Sequence, residues 1–361
     1  MMIKYQNIYC VIMAGGVGSR FWPMSTTKSP KQFHDVLGVG KTLIQQTYER
    51  LLKITSSDKI FVITDQDYVN LTQDQLPAID RKQIIAEPFG MNTAPCSLYS
   101  AFKIKQLDEN ATLLICPSDH LILDTDDFVK DAKLGLASAQ ANDFLYTLGI
   151  NPTRPDTGYG YIQFIENGEK IKSVKTFTEK PNLNMAKKFM QSGDFLWNSG
   201  IFIWKVSSIL KAFKNFLPDM YSSFLSIEDK MNREDEFEQV KRVYPTLHKI
   251  SIDVGILEKA KNVKVIKSNF GWSDLGTWDA LYERGMKDDK KNVTFGEHVF
   301  FYNSQGNMIF AKKNKAVVID GLEDYIVVDT ANGLLITPLN KTQEVKTYVN
   351  DLRLNKKNNF L

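Results

Sequence analysis

The stretch that decides the fold is VIMAGGVGSRFWPMSTTKSPKQF, residues 11–33, in which three glycines, an arginine and two lysines follow a short apolar run. A buried strand that runs into a glycine-rich loop is typical of α/β proteins, which bind ligands outside the carboxyl ends of their strands. Glycines let the backbone approach a ligand and turn its N–H groups inward, which favours an anion. Because Arg20, Lys28 and Lys31 add positive charge, the loop predicts a site for a nucleotide triphosphate.

Two common phosphate-binding motifs do not match this loop. A P-loop needs G-x-x-x-x-G-K-[ST], which is absent, and a dinucleotide fingerprint needs a third glycine where Phe21 stands. The loop also runs for about twenty residues before its helix, which is too long for either motif. A simple glycine turn with solvated basic residues remains the structural alternative.

Composition and charge set the class of protein. The chain has 361 residues, of which 43% are hydrophobic and 24% are charged, with a net charge of +3, so it can form one large domain or two. We expect neither a nucleic-acid nor a membrane partner, because the charge is nearly balanced and no apolar run reaches the ~18 residues that span a bilayer. We also expect no signal peptide. Cys10, Cys96 and Cys116 form no C-x-x-C pair, which predicts reduced, structural cysteines and a cytoplasmic location.

The first half alternates buried strands with helical segments, which predicts an α/β, Rossmann-like, mixed but mostly parallel sheet flanked by helices. Closely spaced strands from TGYGYIQF to GIFIWK predict an antiparallel part of the same sheet. We expect Thr42 and Gln45 to form a capping box and Thr93 to be the N-cap of the helix that contains Pro95.

The composition changes near MKDDKKNV, residues 286–293. We therefore predict a catalytic domain over residues 1–288 and a small C-terminal β domain over residues 289–361. Its short strands, between 292 and about 338, are loosely repetitive and resemble a short left-handed β-helix, followed by a helix near 342–352. We expect a homodimer through this domain, since exposed sheet edges are usually covered.

Several motifs, in order along nearly the whole chain, resemble the sugar nucleotidyltransferase family, and in particular its mannose-1-phosphate guanylyltransferases (GDP-mannose pyrophosphorylases). The first is the opening stretch, with G-G-x-G-x-R-x-W-P-x-S and P-K-Q-F. The others are EPFGMNTAP (87–95), CPSDHLI (116–122), YGYI, FTEKP (177–181), WNSGIFIW (197–204), SIDVGILEK and GWSDLGTW (271–278). The resemblance implies transfer of GMP from GTP to α-D-mannose 1-phosphate.

Two aspartates are candidate metal ligands. Asp119 directly follows a buried strand and Asp274 lies in GWSDLGTW; their alternatives are a turn or cap and the N-cap of a helix near Gly276. Mg²⁺ prefers one or two carboxylates together with phosphates, and the resemblance implies that both aspartates hold the catalytic Mg²⁺. We favour a hydrogen-bonded structural role for His120 over a ligand role.

The resemblance also implies the substrate contacts. Arg20, Lys31, Asp119, Lys180 and Asp274 are the expected catalytic residues. The expected nucleotide-binding residues are Ala14, Gly15, Gly16, Gly18, Ser19, Arg20, Lys31, Glu87, Asn92, Thr93, Ala94, Ser118 and Asp119. The expected sugar-phosphate residues are Gly160, Glu179, Lys180, Asn198 and Asp253.

Purely structural alternatives exist for four of these residues. Glu179 and Lys180 could form a solvated turn before proline, Asn198 an ordinary turn, and Asp253 a helix N-cap. Which residue contacts the guanine edge does not follow from the sequence. The alternative functions are the same chemistry on a heptose or fucose 1-phosphate, a catalytically silent nucleotide-sugar sensor, and a dinucleotide-binding oxidoreductase that the missing third glycine disfavours.

Overall fold

The computed structural model describes residues 7–311 and 314–361. The expectation about a signal peptide rests partly on residues 1–6, which lie outside that range. The chain divides into two compact units. We call the first the sheet unit (residues 7–15, 47–118 and 122–272) and the second the coil unit (residues 16–46, 119–121 and 273–361, without 312–313). Each is described by itself.

The strands are β1 (Ile8–Met13), β2 (Ile60–Asp65), β3 (Ile84–Glu87), β4 (Thr112–Pro117), β5 (Leu121–Ile122), β6 (Leu145–Ile150), β7 (Tyr161–Ile165), β8 (Ile171–Thr178), β9 (Phe195–Lys205), β10 (Val263–Ser268), β11 (Trp272–Ser273), β12 (Val293–Phe295), β13 (His298–Tyr302), β14 (Met308–Phe310), β15 (Ala316–Asp320), β16 (Tyr325–Asp329) and β17 (Leu334–Pro338). The α-helices are α1 (Leu43–Leu52), α2 (Val69–Gln75), α3 (Thr93–Lys105), α4 (Thr125–Ala141), α5 (Leu183–Ser192), α6 (Val206–Phe216), α7 (Pro218–Leu225), α8 (Glu236–Val243), α9 (Trp278–Arg284) and α10 (Val345–Leu354).

The sheet unit is built on nine strands in the order β3-β2-β1-β4-β9-β6-β10-β8-β7. Strands β3, β2, β1 and β4 are parallel to one another, and β9 runs antiparallel to β4 and β6. Strands β7 and β8 pair antiparallel. The mixed sheet that the sequence predicts is confirmed: the first half of the chain supplies four adjacent parallel strands, and β10 pairs in parallel with β6.

Helices cover both faces of this sheet. On one face, Phe202 and Trp204 join a core that includes residues of α3, α6 and α7. On the other face, Gly135 of α4 lies against Ile203 and Ile266. Successive strand residues point to opposite faces, so a strand buried on both sides is apolar throughout. This explains the continuous hydrophobic runs of the first half.

The coil unit contains parallel strands that repeat along the chain. Strands β12, β14 and β16 pair in parallel, β17 closes this sheet antiparallel, and β13 pairs in parallel with β15. Each coil therefore adds a strand to each of two sheets, as the repetitive pattern predicts. The buried asparagines Asn292 and Asn307 bond from one coil to the next, since the Asn307 N–H donates to Asn292 Oδ1 at 3.0 Å.

The structure confirms some of the local predictions and contradicts one. The Gln45 side chain accepts a bond from the Thr42 N–H at 3.0 Å, as in the predicted capping box. Thr93 as N-cap is wrong, because Asn92 holds that position with φ 75° and its side chain accepts the Thr93 N–H. The three cysteines are buried and free. No helix in residues 7–311 and 314–361 is long and apolar enough to cross a membrane.

Candidate active site

The opening loop begins at the end of β1. In the sheet unit, the Ala14 N–H donates to Ile63 O at 2.8 Å and the Thr64 hydroxyl donates to Ala14 O at 2.8 Å. Gly15 follows and is exposed. The carboxyl end of β1 therefore holds the start of the loop rigidly, while the next backbone N–H groups stay accessible to a ligand.

Further along, in the coil unit, the loop folds back on itself. Gly18 has φ 73°, and a Cβ there would lie 2.6 Å from Lys31 Cβ. The Lys31 N–H donates to Val17 O at 3.2 Å. Only glycine accommodates both the left-handed backbone and this close approach. Gly18 therefore determines where Lys31 lies.

Lys31 brings the two predicted metal aspartates together in the coil unit. Its ammonium Nζ lies 2.6 Å from Asp119 Oδ2 and donates to the backbone oxygens of Asp274 and Leu275, each at 2.9 Å. The Lys31 side chain is only 4% exposed, whereas that of Asp119 is 30% exposed. Sequence reasoning proposed all three residues but not that the lysine links the two aspartates.

Electrostatics keep Asp119 ionised. Burial raises the pKa of its carboxyl, but the Lys31 ammonium and His120 outweigh burial and hold that pKa below its usual value. Asp274 Oδ1 accepts the Gly276 N–H at 2.9 Å. Because α9 begins at Trp278 with Thr277 as its N-cap, the alternative of Asp274 as a helix cap is wrong.

The donor set at this position suits a hard cation. Two carboxylates supply oxygen atoms, which Mg²⁺ prefers, and such a cation completes its coordination with water and phosphate oxygens. Within the described ranges no group of three or more His, Cys, Asp or Glu side chains forms a richer metal cluster. The side chains of Asp119 and Asp274 thus have the chemistry to hold a magnesium ion.

Three of the predicted loop residues of the coil unit are exposed. Ser19 and Arg20 lie in a short 3-10 turn over Ser19–Phe21, and Arg20 is exposed, as are Gly16 and Lys28. An exposed guanidinium retains its hydration and can turn to meet an incoming phosphate.

A second group of predicted residues lies at the carboxyl end of β3 in the sheet unit. The hydroxyl of Thr93 accepts the Ile252 N–H at 2.9 Å, and the Ala94 N–H donates to Ile250 O at 3.2 Å. These two residues therefore hold the segment 250–252 in place. The backbone of Ser118 also bonds within the sheet unit: its N–H donates to Met13 O at 2.9 Å and its carbonyl accepts the Thr47 hydroxyl at 3.1 Å.

Glu87 ends β3 and is 4% exposed. Its Oε1 accepts a hydrogen bond from the phenol of Tyr244, 157 positions further along the chain. Burial raises the pKa of Glu87 to about 7, the Tyr244 bond lowers it in part, and Asp65 adds to the rise. Sequence reasoning missed Tyr244, because it lies in no recognisable motif.

The predicted sugar residues lie together in the sheet unit. Asn198 Nδ2 donates to Asp253 Oδ1 at 2.9 Å, and the Asn198 N–H donates to Gly160 O at 2.8 Å. A Cβ on Gly160 would lie 2.6 Å from Glu179 Oε2. Lys180 is exposed and forms an ion pair with Glu179 at 3.0 Å. All five predicted residues therefore belong to one cluster.

Thr147 is a member of this cluster that the sequence did not indicate. Its hydroxyl donates to Asn198 Oδ1 at 2.9 Å, which fixes the orientation of the amide. The asparagine amide must then point its Nδ2 at Asp253. A threonine within a buried strand carries no signal for such a role.

Asp253 begins a π-helical turn, Asp253–Leu257, and does not cap it; the N-cap alternative is wrong. Burial raises the pKa of Asp253 to about 7, and the charge of Glu179 adds to this rise, whereas Asn198 and Lys180 oppose it. Two neighbouring acids, one of them partly protonated at neutral pH, offer both donors and acceptors. Such a pair suits the hydroxyl groups of a sugar.

Family models match nearly the whole chain. A model described as "Nucleotidyl transferase" matches residues 9–291. A second, described as "MannoseP isomerase/GMP-like beta-helix domain", matches residues 296–352. The coils of strands β12–β17 are thus the β-helix domain that the sequence pattern predicts.

Individual relatives agree with the family models. A mannose-1-phosphate guanylyltransferase of Salmonella muenchen is 36% identical and covers 96% of this chain and 74% of its own. The alginate biosynthesis protein AlgA of Pseudomonas putida is 35% identical, with 95% and 71% covered. A crystal structure described as a mannose-1-phosphate geranyltransferase from Thermus thermophilus superposes with a TM-score of 0.87, at 29% identity, over 96% of this chain and 99% of the other. This chain therefore belongs to the nucleotidyl transferase family, and it is a nucleotidyltransferase with relatives named mannose-1-phosphate guanylyltransferase.

Proposed function

We propose that this protein transfers GMP from GTP to α-D-mannose 1-phosphate and releases GDP-mannose and pyrophosphate. The observation that carries the proposal is the Lys31–Asp119–Asp274 arrangement, a buried lysine between two carboxylate-bearing residues beside a glycine-rich loop. The name of the Salmonella relative at 36% identity supports the choice of guanine and mannose.

The proposed reaction needs no general base. A phosphate oxygen of mannose 1-phosphate attacks the α-phosphorus of GTP and forms a new P–O bond. The bond between the α-phosphorus and the bridging oxygen breaks, and its electron pair leaves with pyrophosphate. Because the second pKa of a phosphate monoester is near ~6, the nucleophile is already ionised at neutral pH.

Asp119 and Asp274 would hold Mg²⁺, which when bound supplies positive charge to the phosphate oxygens. Lys31 holds Asp119 in its ionised form, and we assign Lys31 and Arg20 to the phosphates of the leaving pyrophosphate. We assign Lys180 to the attacking phosphate. The roles of Arg20 and Lys180 rest on charge, exposure and family resemblance, whereas that of Lys31, whose side chain is 4% exposed, rests on charge and family resemblance.

The other predicted residues would bind the rest of each substrate. We assign Gly160, Glu179, Asn198 and Asp253 to the mannose hydroxyls and phosphate side. The nucleotide contacts that we propose are Ala14, Gly15, Gly16, Gly18, Ser19, Glu87, Asn92, Thr93, Ala94 and Ser118. Of these, Thr93, Ala94 and Ser118 already bond within the sheet unit, so we expect their contribution to be support of the backbone.

We further propose a cytoplasmic location, which the three free buried cysteines support, and a domain boundary near residue 288. A homodimer through the C-terminal domain is supported by apolar side chains exposed on β13 and β15, namely Phe300, Tyr302 and Val318. Light scattering of the purified protein tests the dimer.

The test of the proposed function is pyrophosphate release in the presence of Mg²⁺. GTP, ATP, UTP and dTTP are crossed with the 1-phosphates of mannose, glucose, fucose and a heptose. Turnover confined to GTP with mannose 1-phosphate supports the proposal. Turnover with another sugar replaces the proposed acceptor, and tight GTP binding without any turnover favours a nucleotide-sugar sensor.

A further inference from the structure

The Glu87 carboxylate has one oxygen bonded and one oxygen without a donor. Oε1 accepts the Tyr244 phenol, whereas Oε2 accepts no hydrogen bond from any residue in the described ranges. Oε2 faces Gly15, where a Cβ would lie 3.4 Å away. Oε2 does not belong to the enclosed side-chain atoms that lack a partner in the described residues, so it stays accessible although Glu87 as a whole is 4% exposed. A ligand that brings a donor to this oxygen therefore gains a hydrogen bond to a carboxylate.

The packing around Tyr244 fixes the position of its ring. It follows α8 directly, is fully buried, and packs edge-on against Phe89 and Phe224 with ring centroids 5.7 and 6.4 Å away. Burial and the nearby Glu87 charge raise its pKa well above the usual value, so the phenol stays protonated and donates. The phenol thus sets the rotation of the Glu87 carboxylate.

A guanine edge carries donors that match this oxygen. Guanine presents its N1–H and its exocyclic amine side by side, and an ionised carboxylate is an acceptor only. Adenine has no such pair of donors. We infer that Tyr244 is a positioning residue that holds the Glu87 carboxylate with Oε2 directed at the guanine edge of the nucleotide. This inference rests on the proposed function for its choice of guanine.

The charge of Glu87 makes the arrangement sensitive to pH. With a pKa of about 7, Glu87 ionises near neutrality, and only the ionised form accepts from both guanine donors. The groups that face it are Tyr244, Asp65 at the end of β2, and Cys96 and Tyr99 on α3. The Tyr244 bond favours the ionised form, so its loss moves the pKa of Glu87 upward.

The experiment compares Tyr244→Phe with Tyr99→Phe. Tyr99 is also a buried tyrosine on a carboxylate, since its phenol donates to Glu236 Oε1 at 2.7 Å, but it does not bond Glu87. The substrates are GTP and ITP, which lacks only the exocyclic amine. We expect Tyr244→Phe to lower kcat/KM for GTP about tenfold, mainly through KM, and to reduce the preference for GTP over ITP. In the pH profile of kcat/KM for this variant, the acidic limb should move to higher pH.

Tyr99→Phe should leave both the GTP/ITP ratio and the pH limb unchanged. Glu87→Gln should reduce the GTP/ITP ratio and abolish the acidic limb of the pH profile. The inference is overturned if Tyr244→Phe keeps the wild-type ratio and limb, or if Tyr99→Phe changes them equally. Calorimetric titration with GTP and ITP measures the same ratio without turnover, so a failure of mannose 1-phosphate as acceptor contradicts the proposed function alone.

Discussion

Asp119 of the coil unit and Asp253 of the sheet unit are both partly or fully buried aspartates, yet their pKa values move in opposite directions. Lys31 lies 2.6 Å from Asp119 and holds its pKa below the usual value in spite of burial. At Asp253 burial prevails: it raises the pKa to about 7, the charge of Glu179 adds to the rise, and the hydrogen bond from Asn198 only partly opposes it. Burial raises the pKa of both acids, and the close lysine at Asp119 reverses the direction there.

The difference fits two kinds of ligand. An acid that stays ionised can bind a cation, and through it a phosphate. An acid that is partly protonated at neutral pH can donate to a hydroxyl as well as accept from it. The following predictions test this contrast, from the largest expected effect to the smallest.

The largest effect is expected for Asp119→Asn and Asp274→Asn. Each change removes a charge that we assign to Mg²⁺, and we expect kcat to fall by about a thousandfold. Pyrophosphate release at saturating Mg²⁺ measures it. Asp126→Asn is the matched control, because Asp126 is an exposed aspartate paired with Lys53 at 2.9 Å. A fall of less than threefold in both variants would remove the metal role.

Replacement of aspartate by asparagine should change the free energy of unfolding in opposite directions at Asp119 and at Asp253. The lowered pKa of Asp119 means that its pairing stabilises the fold above the unfolded pKa of ~3.9 and that this contribution is lost as pH falls through the lower folded pKa. Asp119→Asn should therefore destabilise the protein at pH 7, by about 2 kcal/mol.

Asp253 has a raised pKa, so its contribution to stability is fully present below the unfolded pKa and is lost as pH rises through about 7. Asp253→Asn should accordingly be more stable than wild type at pH 8, by about 2 kcal/mol, with the gain shrinking towards pH 4. Urea unfolding at pH 4, 7 and 8 measures both variants. Destabilisation of equal size and sign in the two would contradict the contrast.

The sequence predicted the members of each cluster better than their connections. Sequence motifs contain all the predicted members of both clusters. The first cluster consists of Lys31, Asp119 and Asp274, and the second includes Gly160, Glu179, Asn198 and Asp253. Motifs give no information on which side chain bonds which, since this depends on three-dimensional packing between segments far apart in the chain. Tyr244 and Thr147, which orient Glu87 and Asn198, lie outside every motif.

The fold could be predicted because it depends on local patterns in the sequence. Continuous apolar runs identify strands buried on both faces, and their alternation with helices predicts a parallel sheet. The N-cap of α3 was misplaced by one residue because Asn92 adopts a positive φ, which asparagine tolerates better than most residues and which the sequence alone does not reveal.

A smaller effect separates two exposed cations of the opening loop. Arg20→Ala should raise KM for GTP about tenfold, because a charge-assisted bond to phosphate is lost. Lys28→Ala, an equal loss of charge on the same loop, should leave KM within twofold of wild type. Initial rates at varied GTP concentration distinguish them, and equal effects would mean that the loop acts through its net charge.

The smallest effect concerns the sugar cluster. A Cβ on Gly160 would lie 2.6 Å from Glu179 Oε2, so Gly160→Ala should displace that carboxylate and raise KM for mannose 1-phosphate about fivefold. KM for GTP serves as the internal control. A parallel rise in both KM values would show a general disturbance of the sheet unit.

The loop of residues 16–46 belongs to the same compact unit as the C-terminal β coils, and its tryptophan is anchored there. Trp22 Nε1 donates to Phe360 O at 2.7 Å, its carbonyl accepts the Trp278 indole at 3.1 Å, and the Thr330 hydroxyl donates to Pro23 O at 3.2 Å. Gly333 lies against the Trp22 ring. For protein engineering this means that the loop and the C-terminal coils have to be exchanged together, because a chimaera that replaces the coils alone would separate Trp22 from its binding partners.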